Sequence, residues 1–252
     1  MRYLVQLLGP PILGSPHDEP GIHNLPRLRE KTVALAAYLC TEATAVRRDT
    51  AATLLWPASS QKHARANLRT SLVELRRVIG HDAVEATQEL ISIPNARSIT
   101  DLHGFRDLAA GESRAGWWQA IRLYRADFLS GFSVRGSAEF DTWMLLHAES
   151  LREEYYELLR RTSEAEEQEG NLDPATVAAE LLISADPLDE ASHQRLMRLL
   201  LMQRKWTSAL RRFEECRHIL REQLNTEPGD ATYALKDAAV AQRLDKTIFS
   251  RV

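Results

Sequence analysis

Between Ala58 and Gly80 the sequence concentrates cations. Lys62, Arg65, Arg69, Arg76 and Arg77 stand against Glu74 alone, a local charge of +4. At about 100 degrees per residue, Ala64, Leu68, Leu72, Leu75 and Ile79 fall along one line of a helix. That apolar stripe must pack on a core. The opposite face carries Lys62, His63, Ala66, Thr70, Val73 and Arg77, with Arg69 on its flank. A helix that enters the major groove needs small residues between long cations. Bulk would hold it off the duplex, while Arg and Thr reach phosphates and base edges. Lys62, His63, Arg65, Arg69, Thr70, Arg76 and Arg77 are therefore the candidate DNA contacts. A solvated helix dressed with Lys and Arg for solubility would carry the same charges, so the surrounding elements must decide.

Those elements can be read in order. Tyr3 to Leu8 has the composition of a strand. Gly9 to Pro26 holds five of the ten prolines and must be short strands and turns. Leu28, Thr32, Leu35, Ala36 and Leu39 repeat at helical spacing, and Asp49 to Trp56 forms a short second helix stopped by Pro57. Ser59 or Ser60 caps the third helix, which ends at Gly80. Ala83–Ala86 and Leu90–Ile93 follow as a hairpin whose turn, Thr87-Gln88-Glu89, lacks an Asn-Gly signal. Strands, helix, short helix, capped helix and hairpin make the order of a winged helix-turn-helix. Pro94 to Thr100 reads as the boundary, giving domains 1–97 and 98–252.

From Asp101 onward the pattern is helical. Phe105, Leu108 and Ala109 open one helix, and Trp117, Ile121, Leu123 and Tyr124 another. A long helix covers Phe140 to Glu169 and stops at Gly170. Gly170, Leu172, Ala175, Ala179 and Leu182 then align, 34 residues on, with Arg204, Trp206, Ala209, Phe213 and Cys216. A period of 34 with small residues at helix crossings is tetratricopeptide-like. The fold class expected is thus mixed and mainly α: an N-terminal α+β winged helix followed by an all-α tetratricopeptide-like domain.

The net charge of −3 conceals an asymmetry. Residues 1–97 hold 12 Lys and Arg against 9 Asp and Glu, a net +3, and the remainder 20 against 26, a net −6. A basic binding module joined to an acidic one fits this balance. Cys40 and Cys216 are read as reduced, buried thiols of a cytosolic protein. The N-terminus lacks a signal-peptide pattern and no stretch is apolar enough to span a bilayer, so a cytoplasmic protein without a membrane partner is expected.

Catalytic chemistry finds little support. Gly131-Phe132-Ser133-Val134-Arg135-Gly136 misses the spacing of a nucleophile elbow, and no phosphate-binding Gly-Lys loop exists. The eight histidines show no metal-ligand spacing. Trp117, Trp118 and Trp143 read as core anchors. No enzyme, cofactor or metal site is expected.

With these residues in hand, a resemblance emerges. Leu54-Leu55-Trp56-Pro57, Ala64 through Leu72 and Leu75-Arg76-Arg77 resemble the OmpR-type winged-helix domain of the SARP family of transcriptional regulators. Tyr124-Arg125-Ala126-Asp127-Phe128-Leu129-Ser130-Gly131-Phe132 is similar to that family's Tyr-Arg-Gly-Asp-Phe-Leu-x-Gly-Phe motif, with Ala126 in place of glycine. Asp186-Pro187 and the helix around Arg212-Phe213-Glu214-Glu215-Cys216 resemble its bacterial transcriptional activation domain. The resemblance covers nearly the whole chain. It implies an activator whose winged helix binds direct repeats in double-stranded DNA, as a homodimer on DNA, with a second domain that contacts RNA polymerase. The competing expectation is a tetratricopeptide-type protein–protein adaptor without specific DNA binding. Two departures stand out. His81 to Ala96 contains no Lys or Arg, so the wing lacks the cations that track phosphate. Glu74 would repel phosphate if it faced the duplex.

Overall fold

The computed structural model describes residues 3–14 and 28–249, and the chain divides into two compact units, Met1–Glu153 and Glu154–Val252. It is mainly helical, with a few short strands. Among the described residues no helix is long and apolar enough to cross a membrane.

The first unit begins with β1 (Val5–Gln6) paired antiparallel to β2 (Ile12–Leu13), Val5 opposite Leu13. The expected strand over Tyr3–Leu8 is shorter because a side chain takes over its backbone. The N–H groups of Leu7 and Leu8 donate to the carboxylate of Asp101 at 2.7 and 3.2 Å, not to a neighbouring strand. Of the proline-rich stretch, residues 15–26 lie outside the described residues.

Helix α1 (Glu30–Glu42) buries Ala34, Leu35, Ala36, Ala37, Leu39 and Cys40 completely, which makes it a core helix of this unit. It ends at Ala43, whose φ of 51° closes the last turn with an N–H to Leu39. β3 (Val46–Arg47), α2 (Arg48–Leu55) and α3 (Gln61–Ile79) follow, then a 3₁₀ turn (His81–Ala83), β4 (Glu85–Ala86) and β5 (Leu90–Ser92). The small sheet has the order β3-β5-β4, all antiparallel, with Ile91 between Val46 and Ala86. The hairpin turn that lacked an Asn-Gly signal is closed by a hydroxyl. Thr87 Oγ1 accepts the N–H groups of Glu89 and Leu90 at 3.3 and 3.0 Å.

The same unit continues past residue 97 through α4 (Ala96–Ile99), α5 (Asp101–Ala110), α6 (Arg114–Leu123) and the opening turns of α7 (Ala138–Gln168). Contacts across that point are buried and polar as well as apolar. His103 Nε2 lies 2.8 Å from the carbonyl of Cys40, and Trp143 Nε1 donates to Glu42 at 3.0 Å. Gly104 in α5 leaves room for the Tyr3 ring, which a Cβ would strike. Within the Tyr124–Phe132 motif, Asp127 accepts from Tyr124 at 3.1 Å and from Arg152 at 2.7 Å, and Arg125 lies 3.8 Å from Asp101.

The second unit holds the rest of α7 with α8 (Leu172–Ala185), α9 (Glu190–Met202), α10 (Trp206–Leu224) and α11 (Asp230–Phe249). Its core includes Ala175, Ala179, Ile183, Leu196, Leu199, Leu200, Ala209 and Ala239. The 34-residue alignment has a backbone counterpart. Gly170 and Arg204, its first aligned pair, both adopt left-handed conformations, φ 78° and 59°, each two residues before the start of α8 or α10. Asp189 caps α9 by accepting from Ala191 and Ser192.

Candidate nucleic-acid interface

The stripe of α3 is buried as its period requires. Ala64, Leu68, Leu72, Leu75 and Ile79 are at most 3% exposed, joined by Ser71 and Val78. Ser60 caps the helix, its hydroxyl near His63 N–H and 3.0 Å from His63 Nδ1. Gly80, at φ 107°, ends it in a conformation that favours glycine. The helix thus presents a fixed outer face.

The seven sequence-derived candidates divide in their surroundings. Lys62, His63, Arg69, Thr70 and Arg77 are exposed. Among the described residues Lys62, Arg69 and Arg77 have no carboxylate within 4 Å. Arg65 is exposed but makes a bidentate pair with Asp49 in the first turn of α2, at 2.6 and 2.7 Å. That contact holds the Asp49 carboxyl below the usual carboxylate range. Arg76 bends back, donating from Nε and Nη2 to the carbonyl of Val84 at 3.3 and 3.0 Å. It braces the approach to β4 while remaining half-buried. The Thr70 hydroxyl donates to the Ala66 carbonyl at 3.2 Å within its own helix.

Glu74 does not face outward with these cations. It accepts from Arg29 at 2.8 Å and from the Thr32 hydroxyl at 2.6 Å, tying α3 to α1. The repulsion expected of it is therefore directed away from the exposed face.

Two further cations belong to the cluster and were not singled out from sequence: Arg47 and Arg48, where β3 meets α2. Arg48 donates to the Thr87 carbonyl at 2.9 Å and so holds the hairpin. Burial depresses the pKa of its guanidinium, and the nearby charges of Arg69, Arg65 and Arg76 depress it further. Arg48 of α2 thus shares one patch with Arg65, Arg69 and Arg76 of α3, and Asp49 is bonded to Arg65 at its edge. The available signal was the Arg47-Arg48 pair directly before a helix start. The hairpin itself adds no cation, and Glu85 and Glu89 on it are exposed.

In the second unit a groove of about 540 Å³ is lined by Tyr156, Leu182, Asp189, Arg160, Arg195 and Arg198 among others. Its arginines are neutralised. Arg160 pairs with Glu157 and Glu164 at 2.7 and 2.8 Å, Arg195 with Glu164 and Glu167 at 2.7 and 3.3 Å, and Arg198 with Glu167 at 2.8 Å. Tyr156 donates to Asp189, and burial together with that carboxylate pushes its phenol up to about 12. No cluster of His, Cys, Asp and Glu among the described residues could hold a metal ion.

Residues 100–239 match the family model of the bacterial transcriptional activator domain. No curated protein matches the chain. Among solved structures, the chain is similar to Mycobacterium tuberculosis EmbR in complex with a low-affinity phosphopeptide, at 20% identity and a TM-score of 0.64. The likeness covers 96% of this chain but 65% of the EmbR chain, and it shows a shared fold.

Proposed function

The chain belongs to the bacterial transcriptional activator domain family, and from that premise we propose that it is a sequence-specific, DNA-binding activator of transcription. Residues 1–97 act as a winged helix-turn-helix whose α3 enters the major groove. Residues 98–252 act as the activation domain, which holds a neighbouring protomer and RNA polymerase. The observation that carries this reading is the uncompensated cation patch. Lys62, Arg69 and Arg77 lie on the exposed face of α3 with no carboxylate within 4 Å among the described residues, and the charges of Arg69, Arg65 and Arg76 repel that of Arg48. A polyanion relieves that repulsion and releases its own counterions on binding. Lys62, His63, Arg69, Thr70 and Arg77 are the groove-facing set. Arg65 and Arg76 support it, one paired to Asp49 and the other bracing the wing.

One such helix reads too few base pairs for a unique address, so two protomers on direct repeats are required. Their half-sites are expected one helical turn apart, about 10–10.5 base pairs or a multiple. Gel-shift titration of the full chain at graded salt tests the reading. A steep salt slope with a specific site above background supports it. Inserting about half a turn between repeats should abolish cooperative binding, whereas a full turn should keep it. A flat slope and no specific site would favour the adaptor reading, to which the groove of the second unit would then belong.

A further inference from the structure

The exposed face of α3 carries an apolar stripe within its cations. Ala66, Thr70 and Val73, spaced four and three apart, share one side of the helix and are all exposed. Val73 is 44% exposed, among the large apolar side chains most open to solvent in the first unit. Arg69 and Arg77 flank it at four residues on either side, which is one helical turn each way. The Thr70 hydroxyl has already given its proton to the Ala66 carbonyl, so this stripe offers no hydroxyl proton outward. Glu74, next in sequence, is held by Arg29 and Thr32. No carboxylate competes at this spot.

We propose that this stripe reads thymine 5-methyl groups in the major groove, with Val73 as a residue that determines specificity. The inference rests on the DNA-binding reading above and goes beyond it in naming the feature read. The argument is one of complementarity. The 5-methyl of thymine is the apolar group of the major-groove edge, and cytosine lacks it. A short branched side chain reaches that methyl without holding the helix away. The arginines one turn above and below anchor the helix through phosphates or guanine edges. Val73 thereby contributes discrimination, and the arginines contribute affinity.

The test uses the full chain and a site obtained by selection from random duplexes. Each thymine is replaced in turn by deoxyuridine, which keeps the pairing and removes only the methyl. At one position per half-site, affinity should fall about fourfold, the worth of one buried carbon. In Val73→Ala the thymine-over-uracil preference at that position should shrink below about twofold. This variant keeps its fold, because alanine at an exposed helix site is the better helix former. Circular dichroism verifies that. Specific binding that is indifferent to every uracil substitution would overturn this inference and leave the DNA-binding reading standing. A preference that survives unchanged in Val73→Ala would overturn the assignment to Val73. Absence of any specific site would sink both.

Discussion

Around α2 and α3, the arginines 47, 48, 65, 69 and 76 influence one another electrostatically or share Asp49 as a counterion. In the groove of the second unit, Arg160, Arg195 and Arg198 each hold at least one glutamate within 3 Å. The same residue type thus occupies two electrostatic settings. Paired arginines on a helical surface knit neighbouring helices together and contribute little long-range field. Arginines that face one another without counterions raise the local potential and destabilise the free protein slightly. That cost is recovered when phosphates arrive. A whole-chain charge of −3 averages these settings away. Counterion geometry, and not arginine content, distinguishes the two settings.

The sharpest way to break the comparison is charge reversal of the unpaired set. Arg69→Glu combined with Arg77→Glu should lower affinity for a specific site on the order of a hundredfold or more, since each base-reading arginine is worth about 1–3 kcal/mol. Unfolding by urea should be little altered, because both side chains are exposed. If affinity holds, the face assigned here is the wrong one.

The paired set should behave in the opposite manner. Arg195 is only 15% exposed and holds Glu164 and Glu167. Arg195→Met should destabilise the second unit by about 1–3 kcal/mol, the cost of leaving polar partners short. Arg160 and Arg198 still reach those glutamates, which keeps the loss from being larger. The salt slope of DNA binding should not move. Arg160→Ala, at a more exposed pair, should cost at most about 1 kcal/mol in urea unfolding. A changed salt slope in either variant would place the second unit on the DNA.

How much of this was legible in the sequence depends on the range of the interaction concerned. The α3 stripe, its Ser60 cap and its Gly80 stop are local rules and were readable residue by residue. So was the helix order of the second unit, where Gly170 and Arg204 mark equivalent turns before α8 and α10. What could not be read was which distant group captures a given side chain. Asp101 takes the Leu7 and Leu8 amides across more than ninety residues and shortens the first strand. Glu74 is taken by Arg29 and Thr32, and Arg76 by the Val84 carbonyl. Periodicity says which face a residue is on. It does not say whether a long side chain on the boundary bends inward, and Arg76 does. Arg48 was missed for the related reason that it joins the α3 patch only once the chain folds back from α2.

The smallest effect concerns the counterion that the two settings do not share equally. Asp49 neutralises Arg65 at the edge of the unpaired patch, in an exposed ion pair. Asp49→Asn keeps the side-chain size and some capacity to accept from Arg65, while removing the charge. Exposed charges at contact interact weakly in water and less with salt, so affinity for DNA should rise by no more than about two- to fivefold. The salt slope should steepen by up to about 1, as Arg65 becomes free to displace a counterion. Stability should fall slightly, through loss of a negative charge in the first turn of α2. Measured together, these changes have a definite sign: weaker fold, tighter and more salt-sensitive binding. Weaker binding in Asp49→Asn would mean that the pair aims Arg65 at the backbone. Orientation, and not the excess of unpaired cations, would then set the affinity of this surface.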